Sequence, residues 1–356
     1  MPYTTSLDRY RLLGRSGLRV SPLALGTMTF GQDWGWGADA SEAKRIFDAY
    51  VERGGNFLDT SVNYTNGASE RIVGELIKDK RERIVLATKY TMARDAGNIN
   101  SGGNHRLNLM RSVETSLRQL ATDRIDLFYL HAWDFTTSPE EVMRALDDLV
   151  RAGKLLYLGI CNTPAWRVAQ LQTLADLRGW SPLVALQIEY SLVERSVEHE
   201  LIPMARELGL GVLPWSPLGG GILTGKYSRD DLSDENGAEV ADSRKGVIAS
   251  TGHLNARALD IADVVGAVAE ELGASRSQVA LAWTLRNPAV VAPLMGARTL
   301  KQAEDNFGAL SLTLSDAQLE RLQQASAVAP IFPERFIGRP MAQQLIYGTS
   351  TLEPRR

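Results

Sequence analysis

Three successive apolar segments of this sequence end in an ionisable residue: Asp59, Lys89 and His131, with Tyr64 five positions beyond the first. A lysine carried inward on a buried strand is costly unless it is paired, and Asp59 on the adjacent segment is the available counter-ion. A cation beside a phenol favours phenolate. Lys89 is therefore expected to lower Tyr64 from its ordinary value of about 10, which is how a tyrosine becomes a usable general acid. The plainer reading is a set of unrelated core polar groups, each satisfied locally. Four such residues at the ends of neighbouring segments weigh against it.

Residues so placed need a scaffold that gathers the ends of separate strands. Eight short apolar runs are spaced along the chain: Leu23–Gly26, Asn56–Asp59, Ile84–Lys89, Ile125–His131, Leu155–Asn162, Val184–Tyr190, Gly211–Trp215 and Val290–Met295. Most are nearly continuous, as parallel strands covered on both faces read. Between them, apolar residues at helical spacing predict helices over Ser41–Arg53, Ser69–Lys78, Leu107–Leu120, Pro139–Ala152, Ala165–Arg178, Val197–Leu208, Ala262–Leu272 and Thr299–Phe307. Ser69 before an acidic first turn and Ser138 before Pro139 read as N-caps, with Gly153 and Gly209 at C-terminal stops. This alternation predicts an α/β protein with the (β/α)8 TIM-barrel fold, whose active sites lie at the C-terminal ends of the strands; a doubly wound open sheet is the alternative. Arg9–Val20, turning at Gly14-Arg15-Ser16-Gly17, reads as a hairpin closing the barrel floor. Residues 1–356 are thus expected to form one barrel domain, with a hairpin at 9–20, a long loop at 217–255 and a tail at 325–356.

A chain of 356 residues can bury a core without disulfides or metals, and 44% hydrophobic with 23% charged residues is an ordinary globular balance. Lys plus Arg total 39 against 42 Asp plus Glu, a net charge of −3. That balance argues against a nucleic-acid partner, while leaving room for a local basic pocket holding one phosphorylated ligand. The single cysteine, Cys161, fits a reducing compartment, and a cytoplasmic location is expected. No basic segment followed by an apolar run opens the sequence, and the uncharged stretch Leu208–Gly225 is broken by Pro214, Pro217 and several glycines. Neither a signal peptide nor a membrane span is expected.

Several motifs resemble those of the aldo-keto reductases. Gly54-Gly55-Asn56-Phe57-Leu58-Asp59-Thr60-Ser61 running through Tyr64 to Ser69-Glu70 is similar to the family's first signature. Asp126-Leu127-Phe128-Tyr129-Leu130-His131, Gly153-Lys154 with Tyr157-Leu158-Gly159, and Pro214-Trp215-Ser216-Pro217-Leu218 resemble others. Leu13–Leu18 and Leu25-Gly26-Thr27-Met28 resemble the family's hairpin and first strand, so the likeness runs in order from about residue 8 to 310. It implies a tetrad in which Tyr64 donates the proton, Lys89 lowers its pKa, Asp59 partners Lys89 and His131 orients a substrate carbonyl. It also implies a nicotinamide cofactor. Asn162 and Gln187 would hold the carboxamide and Trp215 would stack on the ring, while Cys161 stands where the family has a serine, a stronger donor than a thiol. Ser216, Leu218, Gly220 and Lys226 would lie along the pyrophosphate, and Gly296, Arg298, Gln302, Asp305 and Asn306 around the adenosine. Gln302 stands where some relatives carry Arg, and Asp305 where Glu is usual. Arg298 alone offers a guanidinium fork for a 2′-phosphate, which favours NADP(H) over NAD(H).

Trp34 and Trp36 on a glycine-flanked loop, and Trp133 just beyond His131, are the candidate substrate-pocket aromatics. Asn104-His105-Arg106 reads either as polar groups facing a substrate or as a helix N-cap, and Asp134 as pocket residue or cap. The tail from Ile331 either closes over the pocket or stays apart from it. Gly220–Lys226 has P-loop spacing, but Tyr227 replaces the Ser or Thr that magnesium needs, and no Rossmann fingerprint opens a strand–helix unit. The four histidines show no metal-ligand spacing, so no metal is expected. The leading expectation is a reversible, nicotinamide-dependent reduction of a small aldehyde or ketone. A weakly catalytic nicotinamide-binding subunit, resembling the potassium-channel β subunits, is the alternative. A barrel hydrolase or isomerase using Asp59 and His131 is a third reading, and the oligomeric state is left open.

Overall fold

The computed structural model describes residues 6–232 and 252–350. A short antiparallel hairpin, β1 (Arg11–Leu12) and β2 (Arg19–Val20), precedes eight parallel strands: β3 (Ala24–Gly26), β4 (Phe57–Asp59), β5 (Val85–Tyr90), β6 (Ile125–Leu130), β7 (Leu155–Cys161), β8 (Leu183–Glu189), β9 (Gly211–Trp215) and β10 (Leu294–Gly296). They pair in the order β10-β3-β4-β5-β6-β7-β8-β9, giving the expected TIM barrel. Every residue of β5 and β6 is buried, as strands covered on both faces must be. Leu13, Val20, Phe57, Val85, Leu127, Val184 and Leu213 fill the barrel interior, and the larger apolar layer lies between barrel and helices. The hairpin closes the floor: Arg15 N–H bonds Gly209 O at 2.7 Å. Gly14 (φ 55°) comes so near β8 and β9 that a Cβ would lie 2.3 Å from Val184 O, so no other residue fits there.

The ring closes by an unequal seam. The expected run Val290–Met295 is split by Pro293, which has no N–H for a ladder. Its first half, with Ala289 just before it, bridges β9 through Val212 N–H to Ala289 O (3.0 Å) and Val291 N–H to Val212 O (2.9 Å). Its second half, β10, pairs with β3.

The helices are α1 (Ala40–Glu52), α2 (Ala68–Ile77), α3 (Arg106–Gln119), α4 (Pro139–Arg151), α5 (Ala165–Arg178), α6 (Leu201–Glu207), α7 (Ala256–Leu272), α8 (Arg276–Leu285), α9 (Leu300–Phe307), α10 (Asp316–Ala325), α11 (Glu334–Ile337) and α12 (Pro340–Tyr347). Ser138 caps α4 as expected, accepting from Glu141 N–H at 3.2 Å. Ser69 does not cap α2. The helix begins one residue earlier, Thr65 Oγ1 accepts the Ser69 N–H at 3.0 Å, and Ser69 Oγ turns inward to Thr27 O at 2.7 Å. The helix expected over Val197–Leu208 is a 3-10 turn (Ser196–Glu198) followed by α6. Pro203 lacks the N–H that would reach back to His199, so one continuous helix cannot form. Helix α7 begins earlier than expected, with Asn255 as its cap. Helices α8 and α10 were not expected, although each starts with a Ser-x-x-Gln capping box.

Of the long loop at 217–255, residues 233–251 lie outside the described residues; Gly219–Thr224 and Arg229–Leu232 form 3-10 turns. The tail carries α11 and α12, and Glu334 meets His199 Nδ1 at 2.7 Å beside α6; residues 351–356 lie outside the described residues. Among the described residues no helix is long and apolar enough to cross a membrane, and no cluster of three metal-ligating side chains occurs.

Candidate active site

The first site element follows directly from strand ends. Asp59 closes β4 and Lys89 lies one residue before the end of β5, and their side chains are 1% and 0% exposed. Lys89 Nζ donates to Asp59 Oδ1, to Thr60 O at 2.8 Å and to Tyr64 Oη at 3.3 Å. The second Asp59 oxygen accepts from Gln187 Nε2 at 2.8 Å, so every acceptor of the buried carboxylate faces a donor. Burial works against the Lys89 charge, but Asp59 and Tyr64 outweigh it and the ammonium is held above its ordinary value. On Asp59 burial is the largest influence and pushes the carboxyl up, opposed by Lys89 and Gln187.

Tyr64 opens a tight turn in which Thr65 (φ 44°) and Asn66 (φ 51°) take left-handed conformations. Thr65 is buried and its Oγ1 donates to Phe30 O at 2.8 Å, which fixes the turn over the barrel mouth. The phenol ring lies edge-on to Trp34 (6.3 Å) and to His131 (5.9 Å), with Lys89 Nζ 4.8 Å from its centre. The expected lowering of the Tyr64 pKa is not what the surroundings produce. Burial raises it, Lys89 opposes this, and Asp59 adds to the rise, leaving the phenol above its ordinary value. The reason is first the burial of the phenol, and then that Asp59, beside Lys89, acts on it with the opposite sign. A phenol in that range keeps its proton at neutral pH, as a proton donor must.

His131, just past β6, places Nδ1 3.4 Å from Ser61 Oγ, and Asn162 Nδ2 donates to its carbonyl at 2.9 Å. Burial, then the Lys89 charge, lowers its pKa to about 3, so the imidazole is neutral across the physiological range. The linkage has a definite sign. Between about pH 6.5 and 3 the unfolded chain binds the proton that the folded chain refuses, so stability falls as pH drops through that window. His131→Asn is expected to flatten this acid limb of a urea-midpoint profile; an unchanged slope would show that His131 is not the group responsible.

Asn162 (φ 40°) uses its other amide atom to accept from Trp215 Nε1 at 3.0 Å, joining the ends of β7 and β9. Cys161 points into the barrel and is fully buried, and burial pushes its thiol well above the ordinary range. After β9, Ser216 (φ 52°) accepts from Gly220 N–H at 2.8 Å through Oγ, and Gly219, Gly220 and Gly221 all have positive φ. A Cβ on Gly221 would lie 2.7 Å from Lys226 Cε, so the missing side chain lets Lys226 fold back across the turn. Leu218 is half-buried beneath it. Across the seam, Gly296 has open space beside it, and Arg298 is exposed with no carboxylate partner among the described residues. The Arg298 N–H bonds Gln302 Oε1 at 2.9 Å. Asn306 is buried. Asp305, expected beside an adenine, accepts from Ser275 Oγ (2.7 Å) and Gln278 Nε2 (3.1 Å), so its carboxylate holds the start of α8.

Trp34 and Trp36 stand together at the barrel mouth, with centroids 5.8 Å apart. Trp133 is elsewhere: 5% exposed, it packs into the layer between barrel and helices, with the Arg167 guanidinium 4.8 Å from its ring centre. His105 caps α3, accepting from Asn108 N–H at 3.3 Å, and Asp134 accepts from the N–H groups of Asn104, Thr136 and Thr137. Despite the cost of partial burial, those bonds lower the Asp134 pKa to about 2; His105 is the cap of α3, whereas Asp134 ties the loop after β6 to Asn104. The sequence reading missed Ser61, which adjoins Asp59 and Thr60 in the chain yet contacts His131. It also missed the Gln187–Asp59 bond, for which no local signal exists.

Barrel, hairpin and polar cluster at the strand ends together define a known class, and comparison with other proteins agrees. The model of the aldo/keto reductase family matches residues 22–327. A norsolorinic acid reductase of Aspergillus flavus is 36% identical over 94% of this chain and 85% of its own length. A putative aryl-alcohol dehydrogenase of Saccharomyces cerevisiae is 35% identical, covering 94% of this chain and 91% of its own. An aryl-alcohol dehydrogenase [NADP(+)] of Phanerodontia chrysosporium is 34% identical, covering 94% and 90%. The chain belongs to the aldo/keto reductase family and is an oxidoreductase. Members of this family use nicotinamide cofactors and act on small-molecule carbonyl compounds.

Proposed function

We propose that this protein reduces an aryl aldehyde or ketone to the alcohol, reversibly, with NADPH as the favoured cofactor. The carrying observation is the contact chain Asp59–Lys89–Tyr64 beside an uncharged His131 at the strand ends. The residues present fit a dinucleotide: a turn of left-handed glycines beside Lys226 follows β9, and an exposed Arg298, with no carboxylate partner among the described residues, follows β10 on the other side of the seam. Ser216, Leu218, Gly220 and Lys226 on one side, with Gly296, Arg298, Gln302 and Asn306 on the other, would hold the phosphates and adenosine, while Asp305 braces the start of α8 behind them. Asn162, Gln187 and Trp215 would hold the nicotinamide. When bound, that group supplies a hydride to the carbonyl carbon. Tyr64 gives the carbonyl oxygen the proton carried on its Oη, and Lys89 stabilises the negative charge left on the phenol. Neutral His131 orients the carbonyl without competing as an acid. Trp34 and Trp36 offer flat apolar walls, and the names of the aryl-alcohol dehydrogenase relatives support an aromatic substrate. Trp133, buried away from the mouth, supports the site only from behind.

The deciding experiment is NADPH and NADH binding by fluorescence, followed by NADPH oxidation with an activated aromatic aldehyde. Arg298→Ala is expected to weaken NADPH by about tenfold or more, on the scale of a lost charge-assisted bond, with NADH unaffected. Equal losses for both cofactors would remove the case for a 2′-phosphate contact. Tight binding with no turnover of any carbonyl would favour the nicotinamide-binding subunit instead.

A further inference from the structure

The loop after β5 folds down against α3 and the two border an open cavity of about 450 Å3. Its walls include Arg94, Asn98 and Ser101 from the loop and Arg111, Thr115 and Arg118 from the helix. Two of the guanidinium groups converge on one neutral atom: Arg94 Nη1 and Arg118 Nη2 both donate to Thr115 Oγ1, at 3.1 and 3.2 Å. Among the described residues none of the three arginines has a carboxylate partner. Of the two acidic residues in the wall, Glu114 is bound to Lys154, and Asp95 accepts from the Gly97 N–H at 3.0 Å. Glu70 lies behind Arg94 but forms no ion pair with it; its Oε1 accepts from Thr88, and burial pushes its carboxyl up to about 7. Among the described residues, Arg94 Nε is buried without an acceptor. Burial, then the charge of Arg111 with a smaller part from Arg118, lowers the Arg94 pKa against an opposing pull from Glu70.

We infer that this cavity is a second anion site, separate from the strand-end cleft, shaped to take a small phosphate ester through Arg94, Arg111 and Arg118. Guanidinium groups match phosphoryl oxygens in pairs, and a phosphate here would relieve the repulsion among three like charges. Thr115, Ser101 and Asn98 supply neutral polar contacts at the rim. The cavity is open to solvent and larger than an inorganic phosphate, which leaves room for the organic portion of an ester. The rest of the chain is mildly acidic, so the site is a local exception to the surface field.

The test is calorimetric titration of the full chain, saturated with NADP+, using inorganic phosphate, glucose 6-phosphate and glucose. Saturable binding of glucose 6-phosphate, weaker binding of phosphate and none of glucose are expected, with affinity falling as salt rises. The double variant R94Q/R118Q should weaken binding by about tenfold or more. If that variant fails to fold, R111Q/R118Q, which alters only exposed side chains, should weaken it in the same direction. The inference is overturned if no phosphate binds, if the arginine variants bind as wild type does, or if binding disappears in Arg298→Ala, which would assign the anion to the cofactor loops.

Discussion

Tyr64→Phe is expected to lower kcat for carbonyl reduction by about 10²–10⁴-fold, the usual contribution of a positioned general acid. The substitution removes one oxygen and keeps the ring. The edge contacts to Trp34 and His131 survive, as does the approach of Lys89 Nζ to the ring face. NADPH binding should therefore be unchanged while turnover collapses, a split that a general loss of fold would not give. The pH dependence has a definite direction. Tyr64 sits above its ordinary value, so wild-type reduction should hold steady through neutral pH and fall only as alkaline pH removes the phenol proton. Near-wild-type kcat in Tyr64→Phe, read by steady-state NADPH oxidation, would remove Tyr64 as the acid.

The second large effect concerns stability. Asp59→Ala strands the Lys89 ammonium in the barrel with only Thr60 O and Tyr64 Oη for company, and leaves Gln187 Nε2 without its acceptor. Breaking a fully buried ion pair from one side costs about 3–5 kcal/mol, because the remaining charge keeps its desolvation penalty and loses its partner. Replacing both members, as in Asp59→Leu with Lys89→Met, should cost less than Asp59→Ala alone despite being the larger change in composition. Urea unfolding with equal m-values checks this. A single-variant loss below about 1 kcal/mol would mean that water or a rearranged Lys89 relieves the charge. Both variants should be inactive, so activity cannot stand in for the stability measurement.

The barrel was legible because its strands are short, apolar and regularly spaced, and Asp59, Lys89 and His131 each sit where an apolar run stops. Burial on both faces writes itself into composition, and so the ends of β4, β5 and β6 could be read directly. What escaped were features decided by neighbours distant in sequence. Ser69 has the chemistry of a cap, but Thr27 and Thr60 offer its hydroxyl partners inside the fold. Asp305 lies where a cofactor contact was expected, yet Ser275 and Gln278 claim its carboxylate. Trp133 follows His131 closely, but the chain turns between them and the indole enters the helix layer. Pro203 and Pro293 were visible as breakers and were read as part of longer elements. The Tyr64 shift failed because burial of the phenol, joined by the Asp59 charge, outweighs Lys89: the ion pair was foreseen, but not the desolvation of the hydroxyl beside it.

The uneven closure of the ring has a thermodynamic corollary. Between β9 and the segment leading to β10 the barrel is held by a single bridge, whereas β8 and β9 share five register pairs. The lips of that weak join carry the Ser216 loop on one side and Gly296 with Arg298 on the other. A dinucleotide touching both lips would act as a clasp, adding to the seam a free energy of about 4 kcal/mol when present at a thousandfold its dissociation constant. Reciprocity then requires that whatever stiffens the join also tightens the dinucleotide, so changes at Pro293, remote from any chemistry, would be felt as changes in cofactor affinity.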